Sequence, residues 1–493
     1  MGCPVARLCY DRGVSSSAAP TDLYIDGRWR PAADGGRFDV IDPATEKRIA
    51  SVADADAADA IAAVDAAAAA QPTWAAVAPR QRGEILRRAY ERMAAGADSL
   101  AELIVRENGK PLPEARGEVL YAADFLRWYA EEAVRIDGTF ATAPAGTNRM
   151  LVLRQPIGVA LLITPWNLPA AMITRKIGPA LAAGCTVVVK PAEQTPLTAL
   201  ALACVLDEAG VPPGVVNVVT TTQSAKVGSA VLTDARVRKL SFTGSTEVGR
   251  RLLEQAARRV VKTSMELGGN APFIVFADAD LDAAVAGAMI AKMRHNGETC
   301  TAANRIYIEE PVYDAFLDRF TAAAAALKMG HGLEAGVQLG PLIDADGRDK
   351  VQRLVDAAVA RGARVLTGGR VPRGPGFFYP PTVLAEVDSD SPILCEEIFG
   401  PVAPAIRFRD TDTVIRAANA VDHGLVAYVY TRDLGRGLRV AEALESGMVG
   451  LNRGLVSDPA APFGGVKQSG IGREGGHDGL LEYTESKYIA LEF

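Results

Sequence analysis

Gly158-Val159-Ala160-Leu161-Leu162-Ile163, then Ala170 to Ala183, then Thr186-Val187-Val188-Val189, is the stretch that decides the architecture. The first and last segments are short unbroken apolar runs, as expected of strands buried on both faces, and the middle one has the length and composition of a helix. The pattern repeats downstream with helix Leu197 to Ala209, strand Val215 to Val219, a helix near Ser224 to Leu232 and strand Lys239 to Phe242. Apolar strands alternating with amphipathic helices predict a parallel sheet covered on both faces. Ligands of such sheets sit beyond the carboxyl ends of the strands. The segments just after these strands are therefore the first places to look for chemistry.

A second α/β stretch opens at about Glu266, with strand Phe273 to Phe276, helix Leu281 to Met293 and strand Ile306 to Ile308. Helices Val312 to Leu327 and Arg348 to Ala360 and strands Arg364 to Thr367 and Ala427 to Tyr430 continue it. Upstream, Asp26-Gly27 between apolar residues marks a hairpin. Asp54 to about Ala133 reads as helix, broken at Pro72 and Pro79 and stopped at Asn108-Gly109. The aromatics Phe125, Trp128 and Tyr129 read as core. Residues 1–21 have little periodicity and are expected to form a disordered leader. Glu482 to Phe493 has strand character.

A chain of 493 residues exceeds what one core holds and implies two or three domains. A net charge of −6 gives no electrostatic footprint for nucleic acid. The six cysteines form no CxxC pair and the four histidines are scattered, which argues against a disulfide framework, a zinc site and a Ser-His-Asp hydrolase. No apolar run is long enough to span a membrane, and no signal-peptide core is present, so a cytoplasmic enzyme is expected.

Candidate chemistry follows the strands. Asn296-Gly297-Glu298-Thr299-Cys300 joins a helix to a strand and can present a thiol at a loop, where an electropositive setting would make it a nucleophile; filling space in a core is the alternative. After the first strand comes Thr164-Pro165-Trp166-Asn167-Leu168-Pro169. The Asn167 amide is a neutral donor suited to an oxyanion, or else a helix cap. Lys190-Pro191-Ala192-Glu193 follows the second strand. There Glu193 can accept from a ribose diol, and its charge would repel a 2′-phosphate, favouring NAD over NADP; a surface ion pair is the plain alternative. Thr243-Gly244-Ser245 opens a helix whose free N–H groups suit a phosphate, although Ser245 can equally be a simple N-cap. Glu266 beside Gly268-Gly269 is a candidate general base. Glu397 and Phe399 lie in a Pro-Gly turn.

Together, Pro165-Trp166-Asn167, Lys190-Pro191-Ala192-Glu193, Phe242-Thr243-Gly244-Ser245-Thr246-Glu247-Val248-Gly249, Glu266-Leu267-Gly268-Gly269-Asn270, Gly297-Glu298-Thr299-Cys300, Glu396-Glu397-Ile398-Phe399-Gly400-Pro401 and Pro462-Phe463-Gly464-Gly465-Val466-Lys467 resemble the aldehyde dehydrogenase superfamily, from about Leu23 to Phe493. Ile173-Thr174-Arg175-Lys176, Met293-Arg294-His295-Asn296 and Gly447-Met448-Val449-Gly450-Leu451-Asn452 are similar to its succinate-semialdehyde dehydrogenases. The resemblance implies Cys300 as nucleophile, Glu266 as general base and Asn167 with the Cys300 N–H as oxyanion donors. It implies Lys190 and Glu193 at an adenosine ribose, Ser245 and Trp166 near a pyrophosphate with Thr164, Gly244 and Gly249 alongside, and Glu397 and Phe399 at the nicotinamide end. It implies Arg175, Arg294 and Ser457 at a substrate carboxylate.

The cofactor expected is NAD, with NADP as the alternative, and no metal is expected. The implied fold is a Rossmann-like cofactor domain (22–133 and 156–265), an α/β catalytic domain (266–447), oligomerisation strands (134–155 and 480–493) of a homodimer or homotetramer, and a loop (448–479) returning to the cofactor domain. Glutarate and 2-oxoglutarate semialdehydes, broad aliphatic aldehydes, and a cysteine-dependent hydrolase or acyltransferase are the competing readings. Glu298 stands where many relatives carry glutamine. Ala302 stands where some semialdehyde enzymes carry a second cysteine, so no local disulfide can shield Cys300 from oxidation.

Overall fold

The structure, a computed structural model, describes residues 19–492. Most of the expected leader therefore lies outside the described residues. The fold is organised around two sheets. In the first, of eight strands, the parallel core runs Val216–Val218, Thr186–Lys190, Val159–Ile163, Val237–Thr243, Lys262–Glu266. Starting from Val159–Ile163, the chain adds Thr186–Lys190 and then Val216–Val218 outward on one side, and Val237–Thr243 and then Lys262–Glu266 on the other. The order of strands therefore reverses between Val159–Ile163 and Val237–Thr243, and a crevice opens at the carboxyl ends of these two neighbours. Every residue of Val159–Ile163 and Thr186–Lys190 is buried, as the unbroken apolar runs require.

The predicted hairpin is present. Leu23–Ile25 pairs with Arg28–Arg30 across Asp26-Gly27, both with positive φ, and adds an antiparallel edge to this sheet. The helical N-terminal region is also present, with one correction. Pro72 does not end its helix, which runs on to Ala76. Buried Trp74 packs the last turn into the core and Gln71 bonds Gly184 and Thr186, so packing outweighs the one N–H that proline lacks. Pro79 instead opens the next helix, Pro79–Ala95.

The second sheet has seven strands in the order Arg364–Thr367, Thr382–Ala385, Val402–Phe408, Ala303–Glu309, Ala271–Val275, Val426–Tyr430, Met448–Leu451, all parallel except the first pair. Thr382–Ala385, Val402–Phe408 and the helices Thr411–Asn419 and Leu434–Ala443 escaped the sequence reading, because glycines, prolines and charges interrupt their periodicity. A third sheet pairs Arg149–Pro156 with Thr484–Leu491 and Thr139–Thr142, joining the two segments expected to form accessory strands.

The connection between the large sheets decides where chemistry can occur. Glu266 ends the last parallel strand of the first sheet, and after Leu267-Gly268-Gly269-Asn270 the chain starts the second sheet at Ala271. The carboxyl edge of one sheet thus faces the amino edge of the other. Among the described residues no helix is long and apolar enough to cross a membrane, and no cluster of His, Cys, Asp and Glu is grouped to hold a metal ion.

Candidate active site

Cys300 lies at the amino end of strand Ala303–Glu309, not at a carboxyl end where the strand rule directs attention. It enters the cleft from the second sheet while Glu266 and Asn167 enter from the first. His295, Asn296 and Gly297 are all in the left-handed region, and this reverses the chain between helix Leu281–Met293 and the cysteine. Such a backbone persists only when its surroundings hold it. Asn296 donates to the Pro341 carbonyl at 2.8 Å and accepts from the Gly340 N–H at 2.7 Å; the His295 N–H donates to Glu114 at 2.7 Å. Gly269 is required opposite, since a β-carbon there would run into the Cys300 carbonyl.

Three cavities meet around this point. One, of about 270 Å³, holds Cys300 with Arg175, Arg294, Ser457, Tyr121 and Glu114. A second, of about 310 Å³, holds Cys300 with Asn167, Glu266, Glu397, Phe399 and Trp166. A third, of about 490 Å³, runs past Trp166, Thr164, Gly244 and Ser245 to Lys190 and Glu193. The second and third share Trp166, Thr243, Gly244 and Ser245, and so form one groove along the crevice at the strand reversal.

Most of the sequence-predicted residues are thus brought together. Gly249 is an exception: it lies outside this groove and packs its helix against Leu267, where a β-carbon would clash. Ser245 is the N-cap of helix Thr246–Ala257 and accepts from the Val248 N–H at 3.3 Å; it caps and lines the groove at once. Asn167 is not the cap of the following helix, Ala171–Ala183. That end is served by Glu118, which accepts from the Ala170 and Ala171 N–H groups. The Asn167 amide donates one N–H to the Glu298 carbonyl at 2.8 Å and keeps its second for the cavity. Lys190 is buried rather than part of a surface pair, and burial lowers its pKa to about 8 despite Glu193. The Trp166 and Phe399 rings meet edge to face at 5.3 Å, and Glu397 accepts from the Gly269 N–H at 3.0 Å.

The electrostatics correct one expectation. Cys300 is half-buried, and burial pushes its thiol up to about 12, reinforced by Glu397 and Glu266 and opposed by Arg175. The free protein therefore holds a thiol, not a preformed thiolate, because desolvation outweighs the one arginine nearby. Glu266 is buried with neither carboxylate oxygen bonded, and burial, then Glu474, raises it well above the usual carboxylate range; Lys176, Arg175 and Arg473 oppose the rise. Below a raised thiol pKa the thiolate fraction grows with pH. Alkylation of Cys300 by iodoacetamide, followed on its own peptide by mass spectrometry, is therefore expected to climb roughly tenfold per pH unit between about pH 7 and 10. A plateau near neutrality would contradict it.

Glu298 turns away from the sulfur. Its carboxyl group accepts from the Ile343 N–H at 3.0 Å, and burial raises it well above its ordinary range. Burial thus disfavours the charged form of this carboxyl group.

Several site residues were missed from sequence. Glu474 contacts Lys176 at 2.5 Å and Arg175 at 3.7 Å behind Glu266. Tyr121 accepts from Arg175 at 2.9 Å and bonds Ser457. Lys350 lines the groove, and Thr243, read from sequence only as part of the glycine turn, lines it with its hydroxyl buried and unpartnered. One signal was available: two adjacent cations, Arg175-Lys176, inside the otherwise apolar helix Ala171–Ala183 demand buried partners.

A thiol, a carboxyl and an amide donor thus line one cavity, beside a long groove at a strand reversal. The aldehyde dehydrogenase family model matches residues 29–489. The chain is 55% identical over 443 residues to a succinate-semialdehyde dehydrogenase of Paenarthrobacter nicotinovorans, covering 90% of this chain and 98% of that one. It is 51% identical over 468 residues to a glutarate-semialdehyde dehydrogenase of Pseudomonas putida, covering 95% and 97%. A crystal structure of an E. coli NADP-dependent enzyme superposes with a TM-score of 0.96 at 49% identity, covering 97% of this chain and 99% of that one. The protein belongs to the aldehyde dehydrogenase family, oxidoreductases that act on the aldehyde group.

Proposed function

We propose that this enzyme oxidises an aldehyde bearing a carboxylate, succinic semialdehyde first, to the corresponding acid, with NAD preferred over NADP. The observation that carries this reading is the convergence of Arg175, Arg294 and Ser457 on the cavity that holds Cys300. Arginine forks match a carboxylate with paired, charge-assisted bonds. Two of them opposite a nucleophile fit a substrate with an anion at one end and a carbonyl at the other.

The groove fits a dinucleotide. Its unpartnered Thr243 hydroxyl, the Gly244–Ser245 helix start and buried Lys190 supply donors for phosphates and ribose, and Glu193 is placed to accept from a diol. Glu397 and Phe399 flank the end nearest Cys300. When bound, the nicotinamide supplies an acceptor for a hydride. The exposed Glu193 carboxylate disfavours a 2′-phosphate, the basis of the NAD preference.

Cys300 Sγ bonds to the aldehyde carbon as its proton passes to the ionised form of Glu266, which releases it to solvent before the next step. The oxyanion is held by the Asn167 amide and the Cys300 N–H. Loss of the aldehyde hydrogen with its electron pair leaves an acyl thioester on Cys300. Glu266 then takes a proton from water as the water oxygen attacks the thioester. Collapse releases the acid with Sγ as the leaving group, and the proton on Glu266 returns to Sγ to restore the thiol.

Glu266→Gln is expected to give one burst of NADH per site and then stall at the thioester, seen by rapid mixing at 340 nm. Steady turnover at the normal rate without a burst would remove Glu266 from this role. The function itself is tested by a substrate panel with both dinucleotides. Succinic semialdehyde should exceed butanal in kcat/KM by at least about 100-fold, as a buried arginine–carboxylate pair requires; equal values would defeat the reading. Glutaric semialdehyde is a near competitor, since one methylene changes binding by only about 1–3 kcal/mol. We further propose 22–133 with 156–265 as the cofactor domain, 266–447 as the catalytic domain, 448–479 as a loop returning to the first, and the 134–155 and 480–493 strands, with exposed Phe140 and Tyr488, as the oligomer contact.

A further inference from the structure

The sequence marks Asn108-Gly109 only as the end of a helix, yet the residues on either side of that glycine grip the Trp166–Asn167 turn. The Asn108 side chain donates to the Trp166 carbonyl at 3.1 Å. Lys110 is almost wholly buried, and its ammonium donates to the Asn167 carbonyl at 2.6 Å and to Glu118. The other Glu118 oxygen accepts from the Ala170 N–H at 2.9 Å, at the start of the helix that carries Arg175. A buried lysine–glutamate pair gains little stability over an apolar pair of the same shape. Its geometric effect here is definite. The peptide of Asn167 is held from behind by a fixed charge, while its side-chain amide is held in front by the Glu298 carbonyl.

We propose that Lys110, braced by Glu118, is a positioning residue that aims the Asn167 amide at the developing oxyanion. The proposal rests on the reading of Asn167 as oxyanion donor. Lys110 touches neither substrate nor cofactor; it acts through the peptide it holds. Misplacing a catalytic donor by an ångström can cost about 100-fold, so a small shift of this turn should be visible in kcat.

The experiment compares Lys110→Met, and Lys110→Met with Glu118→Gln, in the wild-type and Asn167→Ala backgrounds. The second variant removes the carboxylate that the first would leave buried without its partner, so the comparison survives if Lys110→Met alone fails to fold. Steady-state kcat with succinic semialdehyde, the KM for each substrate, NAD binding by fluorescence and the melting temperature are measured. The expected result is a roughly 10- to 100-fold fall in kcat with NAD binding within about twofold, and no further fall once Asn167 is already alanine. A folded double variant with wild-type kcat, beside a slow Asn167→Ala enzyme, overturns the positioning role alone. So does an equal fold-loss in both backgrounds, which would mark a general structural effect. An Asn167→Ala enzyme with normal kcat overturns the oxyanion reading, and the positioning role with it.

Discussion

Cys300→Ala is expected to reduce aldehyde-dependent NADH formation to background while NAD still binds. The reason is geometric as much as chemical. Among the described residues, Cys185, Cys204 and Cys395 do not line the cavities that meet at Cys300, so no neighbouring sulfur replaces it. The groove from Lys190 to Glu397 is built without its side chain and should keep its affinity. Cys300→Ser is the sharper comparison. A hydroxyl ionises far less readily than even this raised thiol and leaves the acyl group less easily, so it should be similarly inactive despite near-identical shape. Measurement of NADH at 340 nm together with NAD binding by fluorescence checks both halves. Turnover by the alanine variant would remove the covalent mechanism; loss of NAD binding would mean that the cleft had collapsed.

The second large effect concerns substrate choice. Arg294→Gln is expected to lower kcat/KM for succinic semialdehyde by roughly 30- to 1000-fold, the equivalent of about 2–4 kcal/mol for an unpaired buried charge, and to change butanal by less than about threefold. Arg294 is the cleaner probe: the Nε of both arginines is buried and unpartnered, but Arg294 makes none of the hydrogen bonds or ring contacts that tie down Arg175. Arg175 is different. It bonds Tyr121, lies over the Phe463 ring at 4.1 Å, approaches Glu474 at 3.7 Å and lowers the Cys300 thiol. Its loss should therefore slow butanal too. An Arg294 variant that slows both aldehydes equally would place the arginine in general packing, not in anion recognition.

The same pocket carries a pH signature. Glu114 faces it, and burial raises the carboxyl to about 7, with the His295 N–H, Lys110 and Arg294 opposing the rise. Below that value Glu114 is uncharged and leaves Arg294 to the substrate. Above it, Glu114 ionises and competes. KM for succinic semialdehyde is accordingly expected to rise between about pH 6 and 8.5, and that for butanal to stay level.

The residues that share a cleft here are far apart in the chain, and the sequence located them unevenly. The parallel core of the first sheet was legible because Val159–Ile163 and Thr186–Lys190 are buried on both faces and so must be apolar throughout, a signal that needs no partner to be read. Asn167, Lys190 and Ser245 followed from it, since the ends of such strands are where side chains can face a ligand. Thr382–Ala385 and Val402–Phe408 were not legible: the first is only four residues long, and Gly400, Pro401 and Pro404 blur the pattern of the second. The placement of Cys300 against Glu266 was not legible either, because it depends on two sheets meeting end to end.

By itself the sequence determined the family, the parallel core of the first sheet and which side chains are candidates for its chemistry. Only the tertiary structure decided the charge state of that chemistry. A pKa depends on what surrounds a group in space. The burial that raises the Cys300 thiol and Glu266, the rotation of Glu298 onto the Ile343 N–H and the Lys110 hold on Asn167 all arise from contacts between segments distant in the chain. Local spacing carries no record of them.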